Sequence, residues 1–280
     1  MDRDLGVSMG KFDGKVALVT GAGRMRGIGR YAALAFAKEG ASVAVTGTGR
    51  DPSTFPDDER EASWLDVESV SREIVKDHGV GALPLVLDVS DPAQVQEAVG
   101  RTVAEFGRVD FLINNASASR MAAWAAFEDL TPEVWRHAMD VKVTGAFLCT
   151  QAVTKELLRQ GCGGSIVNVI SVEALISRAT DLAYATASGA LYTFTKKAGR
   201  ALAPHGIRVN GISPGTTDTA RNDTLYGFPR SQDWDDRLQT IPLGRAGTPQ
   251  EMGEFAAWLC SKEAEFIVGQ CIEIDGGQSA

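Results

Sequence analysis

Four glycines fall within ten residues in the run Thr20-Gly21-Ala22-Gly23-Arg24-Met25-Arg26-Gly27-Ile28-Gly29. Glycine lets a chain turn tightly and lets backbone amides approach a pyrophosphate seated on a helix N-terminus. Such a run alone is weak evidence, but this one follows an apolar stretch, Val16-Thr20, and opens a helix-period segment, Gly29-Glu39. In that setting it reads as a phosphate cradle. Arg24, Arg26 and Arg50 are guanidinium groups close enough in sequence to help hold a polyphosphate. The 28 Lys+Arg against 36 Asp+Glu give a net charge of -8, which excludes a broad basic face for nucleic acid or anionic lipid. Cys149, Cys162, Cys260 and Cys271 show no C-x-x-C spacing and read as free buried thiols. His78, His137 and His205 lie far apart, so no metal site is expected.

These groups need a scaffold, and the 280 residues supply one by alternating short β-branched runs with helix-period segments. Strands are predicted at Val16-Thr20, Ser42-Thr46, Leu83-Leu87, Val109-Asn114, Ser165-Ile170, Arg208-Ser213 and Cys271-Ile274. Helices are predicted at Gly29-Glu39, Trp64-Asp77, Asp91-Phe106, Pro132-Arg159, Asp181-Leu202 and Pro249-Ser261. The pattern predicts an α/β fold, a Rossmann-like, doubly wound, seven-stranded parallel sheet. No linker divides it, so a single domain is expected over 12–280 after a flexible tail over 1–11. Charges at Asp2, Arg3 and Asp4 precede any apolar run, and the longest uncharged stretch, Leu182-Thr195, has 14 residues. Neither a targeting peptide nor a membrane span is therefore expected, and a cytoplasmic location is predicted. Two long connections follow strands: the polar insertion Thr48-Ser63, read as a solvated or subunit-contact loop, and Thr216-Gly244, read as a substrate lid.

The glycine run and the landmarks after it resemble the short-chain dehydrogenase/reductase family. The family pattern T-G-x-x-x-G-x-G recurs here with five residues rather than three between Gly21 and Gly27. Asp88-Val89, Asn114-Asn115-Ala116, Ser171, Tyr184, Pro214-Gly215-Thr216-Thr217-Asp218-Thr219 and Asp275-Gly276-Gly277 follow in the family's order. The resemblance implies a nicotinamide dinucleotide held by Gly21, Gly23, Arg24, Arg26, Gly27, Ile28, Gly29, Gly47, Arg50, Asp88, Val89, Asn115, Ala116, Ser188, Pro214, Gly215, Thr217 and Thr219. It also implies a homotetramer or dimer, with the two longest helices at the interface. An acid ending the second strand would hydrogen-bond the adenosine ribose hydroxyls and select NAD. Here Gly47-Thr48 stand in that place, with Arg24, Arg26 and Arg50 nearby, so NADP(H) is predicted over NAD(H).

The catalytic set departs from the family. Relatives have a serine 13 residues before the tyrosine, which Ser171 and Tyr184 satisfy, and a lysine four residues after it, where this chain has Ser188. Relatives also carry an asparagine in a D-V-N-x-x-G setting, and here the run is Asp140-Val141-Lys142-Val143-Thr144-Gly145. A lysine is lost from one helix and gained on its neighbour. Without a nearby cation, ionising a tyrosine of pKa ~10 at pH 7 is uphill by about 3 units, or ~4 kcal/mol. Donating a proton to a carbonyl is less affected, because the neutral phenol already holds it. Ser171, Tyr184 and a relocated Lys142 are therefore the predicted catalytic residues. The leading expectation is an NADP(H)-dependent oxidoreductase reducing a ketone or other carbonyl of a fairly large small molecule. Its rivals are a non-redox enzyme on the same scaffold (a cyclase, dehydratase or isomerase of secondary metabolism) and a non-catalytic dinucleotide-binding subunit. Arg120, Met121, Trp124, Leu175, Ile176, Tyr226, Phe228 and Trp234 are the candidates for an aromatic substrate wall, and Glu173 for a place on its rim.

Overall fold

The computed structural model describes residues 10–118, 126–176 and 181–280, apart from the side chain of Thr224. The expectations for residues 1–9, Arg120, Met121 and Trp124 lie outside the described residues. In chain order the elements are β1 (Val16–Val19), α1 (Ile28–Lys38), β2 (Ser42–Gly47), α2 (Asp57–Glu61), α3 (Val67–His78), β3 (Ala82–Val86), α4 (Pro92–Phe106), β4 (Phe111–Asn114) and α5 (Pro132–Met139). A π-helical turn, Asp140–Thr144, then leads into α6 (Gly145–Gln160), β5 (Gly164–Val169), α7 (Leu182–Leu202) and β6 (Ile207–Pro214). The chain ends with α8 (Asp223–Tyr226), α9 (Gln232–Gln239), α10 (Pro249–Trp258) and β7 (Cys271–Ile274).

All seven strands pair in parallel in the order β3-β2-β1-β4-β5-β6-β7. Alternation along each strand sorts the core into two layers, because successive side chains leave opposite faces. Ala17, Val19, Val43, Val45, Phe111 and Ile113 face α1, α3 and α10, while Leu18, Ala44 and Leu112 face α4 and α6. On the first face Phe12, Phe36 and Phe111 meet with ring centroids 5.0 to 5.3 Å apart. Burying each such ring contributes roughly 1.5–3 kcal/mol. On the other face Cys149 is buried, and Cys260 is buried against α10, where loss of solvent pushes both thiols up to about 12. Two cysteines depart from the expectation: Cys162 is exposed and Cys271 only partly buried.

Two helices differ from the sequence reading, each for a local reason. The segment predicted as one helix over Pro132-Arg159 is interrupted at Asp140–Thr144 by the wider turn. The helix expected from Trp64 starts at Val67, because Asp66 takes φ 54° and the Trp64 indole turns away to donate to the Gly23 carbonyl at 2.6 Å.

Candidate active site

The order of the sheet reverses between β1 and β4, and the chain leaves these neighbours for opposite sides, opening a crevice at their C-terminal ends. A cavity of about 720 Å³ occupies it. Asn115 and Thr20 lash its floor. The Thr20 hydroxyl accepts from the Asn115 and Ala116 amides at 3.0 and 3.1 Å, and the Asn115 side-chain amide donates to the Thr20 and Gly21 carbonyls. Gly21, at φ 65°, makes the turn out of β1 that a side chain would oppose. The first turn of α1 carries neither a side-chain cap nor an acidic residue, so its amides stay open to an anion.

Gly21, Gly23, Arg24, Arg26, Gly27 and Ile28 line the cavity along the glycine run. Gly47, Arg50, Asp88, Val89, Asn115 and Ala116 line it beyond β2, β3 and β4, and Pro214, Gly215, Thr217 and Thr219 beyond β6. Two residues predicted to bind cofactor lie elsewhere. Gly29 packs instead of lining: a Cβ there would fall 2.6 Å from the Asn115 amide nitrogen and 2.8 Å from the Gly21 carbonyl. Ser188 is fully buried on α7 and does not line the cavity, with no partner for its hydroxyl.

At one end of the cavity the insertion after β2 folds onto the enlarged glycine loop instead of standing in solvent. Glu59, fully buried, accepts from the Met25 amide at 2.9 Å and pairs with Arg24 at 3.4 Å. Burial holds its carboxyl above the usual glutamate range, with Arg24 pulling the other way. Asp58 and Asp223 both bind the Arg26 guanidinium, and Arg50 stands 3.5 Å from Asp66. Each arginine expected at a cofactor phosphate thus faces a carboxylate.

At the other end Ser171, Tyr184 and Lys142 come together on the cavity wall. Ser171 follows β5, and its oxygen accepts from the Glu173 amide at 3.2 Å. Tyr184 rises from the first turn of α7. The π-helical turn carries Lys142, which is 3% exposed and donates to the carbonyls of Val169 and Ile170 at 3.2 and 3.0 Å. Its Nζ lies 4.7 Å from the centroid of the Tyr184 ring. Burial pushes the Lys142 ammonium below the usual lysine range. Tyr184 pulls it back up by charge and hydrogen bonding, and Arg221 presses it further down. Arg221 also lies over the Tyr184 ring, 4.6 Å from its centroid.

A family model described as enoyl-(acyl carrier protein) reductase matches residues 21–279. The chain belongs to the short-chain dehydrogenase/reductase family. It is 36% identical to an oxidoreductase of Methylorubrum extorquens, itself uncharacterised, over 96% of this chain and 99% of that protein. It is 33% identical to the 3-oxoacyl-[acyl-carrier-protein] reductase of Thermotoga maritima, over 95% of this chain and 98% of that one. Among solved structures, an NAD+-bound xylitol dehydrogenase superposes with a TM-score of 0.82 at 31% identity, covering 95% of this chain and all (100%) of the other. Members of the short-chain family bind nicotinamide dinucleotides, and the residues here fit one: open amides at α1, glycine walls, and a buried carboxylate at Asp66 that accepts no hydrogen bond.

Several residues of the site escaped the sequence reading. Asp66, His137 and Arg221 line the cavity and belong to no motif. The expected substrate wall is also rearranged. Trp234 is buried against Tyr226, 5.3 Å between centroids, and Phe228 is half-exposed beneath the Arg26 guanidinium at 3.9 Å. None of Leu175, Ile176, Tyr226, Phe228 or Trp234 lines the cavity, and Glu173 is buried rather than on a rim.

Proposed function

We propose that this oxidoreductase reduces a carbonyl of a small molecule, with Tyr184 as proton donor, Ser171 as second donor to the developing oxyanion and Lys142 as the cation that supports Tyr184. The observation that carries the reading is the buried Lys142 ammonium 4.7 Å from the Tyr184 ring, although the family's lysine position holds Ser188. An ammonium has three protons, and two are engaged by the Val169 and Ile170 carbonyls. Those bonds hold the charge beside the phenol, where it favours the phenolate left after proton donation. A bound nicotinamide dinucleotide supplies the hydride. The chain's own residues bind and orient the carbonyl oxygen and hold the proton at the Tyr184 oxygen.

An ammonium this close to the Tyr184 ring supports retained redox chemistry over a non-redox or non-catalytic scaffold. The arginine ground for preferring NADP(H) is weakened, since Arg24, Arg26 and Arg50 each face a carboxylate. Lys142→Met keeps the apolar stem and removes the charge. Reduction of a carbonyl panel, followed by loss of reduced-nicotinamide absorbance, is expected to fall about 100-fold or more. Undiminished turnover in Lys142→Met would sink the assignment.

A further inference from the structure

One buried charge in the described residues is left without a hydrogen bond beside the phosphate cradle. Asp66 joins the insertion to α3 and lies in a backbone region that side chains rarely adopt, φ 54°, ψ −131°. Its side chain is 9% exposed, neither carboxylate oxygen accepts a hydrogen bond, and its nearest cation, Arg50, stands 3.5 Å off. Removing a carboxylate from water without compensating hydrogen bonds is expensive, so a group held this way points to a ligand that completes it.

Its surroundings say which ligand. The carboxylate lies on the cavity wall between the glycine loop and the end of β2. A Cβ on Gly23 would fall 1.1 Å from its Oδ1, and one on Gly47 3.0 Å away. Both glycines leave room for an acid that arrives from 19 residues beyond the end of β2. The insertion delivers it: Glu59 is tied to the Met25 amide and Trp64 to the Gly23 carbonyl, which fixes the segment that leads into Asp66.

We infer that Asp66 receives the adenosine ribose hydroxyls of the dinucleotide and selects NAD(H) over NADP(H). The inference rests on the dinucleotide reading above. A carboxylate with two unused oxygens accepts from both ribose hydroxyls, whereas a 2′-phosphate would bring a second anion against it. Arg50 is left to balance Asp66, and Arg24 and Arg26 are already matched by Glu59, Asp58 and Asp223.

Binding can be measured without any substrate, by titrating the full chain with NADH, NADPH and 2′-deoxyadenosine NADH. The wild type is expected to bind NADH about tenfold or more tightly than NADPH, and to lose about tenfold when the 2′-hydroxyl is removed. In Asp66→Asn both ratios are expected to shrink toward unity, which a merely structural role for Asp66 would not produce. Equal or tighter binding of NADPH by the wild type, or an unchanged 2′-hydroxyl effect in Asp66→Asn, overturns the assignment. The two wild-type ratios decide the matter even if the variant does not fold. Binding of neither dinucleotide instead overturns the underlying cofactor reading.

Discussion

At the scale of single residues, the proposed chemistry turns on the charge of Lys142, which stands on a different helical segment from the family's lysine. Ser188 sits one turn after Tyr184 with its hydroxyl unpartnered, and Lys142 reaches the Tyr184 ring from the π-helical turn. If the charge rather than its attachment point matters, returning it to the family's position is expected to restore function. Ser188→Lys alone would place two ammonium groups against one phenol and should lose both stability and turnover through like-charge repulsion. Lys142→Asn alone should lose turnover. The double variant is expected to recover turnover to within about tenfold of wild type, as a double-mutant cycle on kcat/KM would show. Additive losses would mean that the two positions are independent.

At the scale of elements, the enlarged glycine loop and the insertion after β2 act as one unit. Two extra residues in the loop place Met25 and Arg26 where Glu59, Asp58 and Asp223 hold them. The sequence displays both departures from the common pattern, but nothing in either segment says that they meet. A different element, α10, begins with a reciprocal cap in which Thr248 accepts from the Glu251 amide while Glu251 accepts from the Thr248 amide. Arg245 and the Thr248 amide lower the Glu251 carboxyl from 4.5 to about 2. Because its folded pKa is depressed, Glu251 contributes stability that is present above pH ~4.5 and is lost as pH falls toward 2. Glu251→Gln is therefore expected to lower Tm at pH 7 and to lower it much less at pH 2.5, as thermal melts at the two values would show. Thr248→Ala should be destabilising by about 1 kcal/mol at neutral pH.

At the scale of the whole molecule, the sheet carries the cavity and leaves apolar surface on its outer helices. Phe147 on α6 is 44% exposed and meets Phe194 of α7 edge to face, and Leu158 on α6 is 47% exposed. Apolar side chains left exposed on outer helices can serve association, and the chain is expected to form a homo-oligomer. Light scattering at micromolar concentration is expected to give a mass of at least twice 29.8 kDa, and Phe147→Glu to reduce it. A monomeric wild type would contradict this. Among the described residues no helix is long and apolar enough to cross a membrane.

Parallel strands and covering helices are written into local periodicity, and so the sheet, its seven strands and the glycine cradle were legible from residue order alone. Strand limits moved by only one or two residues, because short continuous apolar runs, buried on both faces of the sheet, are a property of the chain itself. The nearness of Lys142 to Tyr184 was open to residue order only as an expectation, which the packing of the π-helical turn near α7 decides, while the arrival of Asp66 beside Gly47 and the neutralising partners of Arg24 and Arg26 depend on how loops cross in space. A carboxylate 19 residues past a strand carries no local mark of its neighbours. Only the tertiary fold, by packing the insertion onto the glycine loop, decides which charges meet and which are left for a ligand.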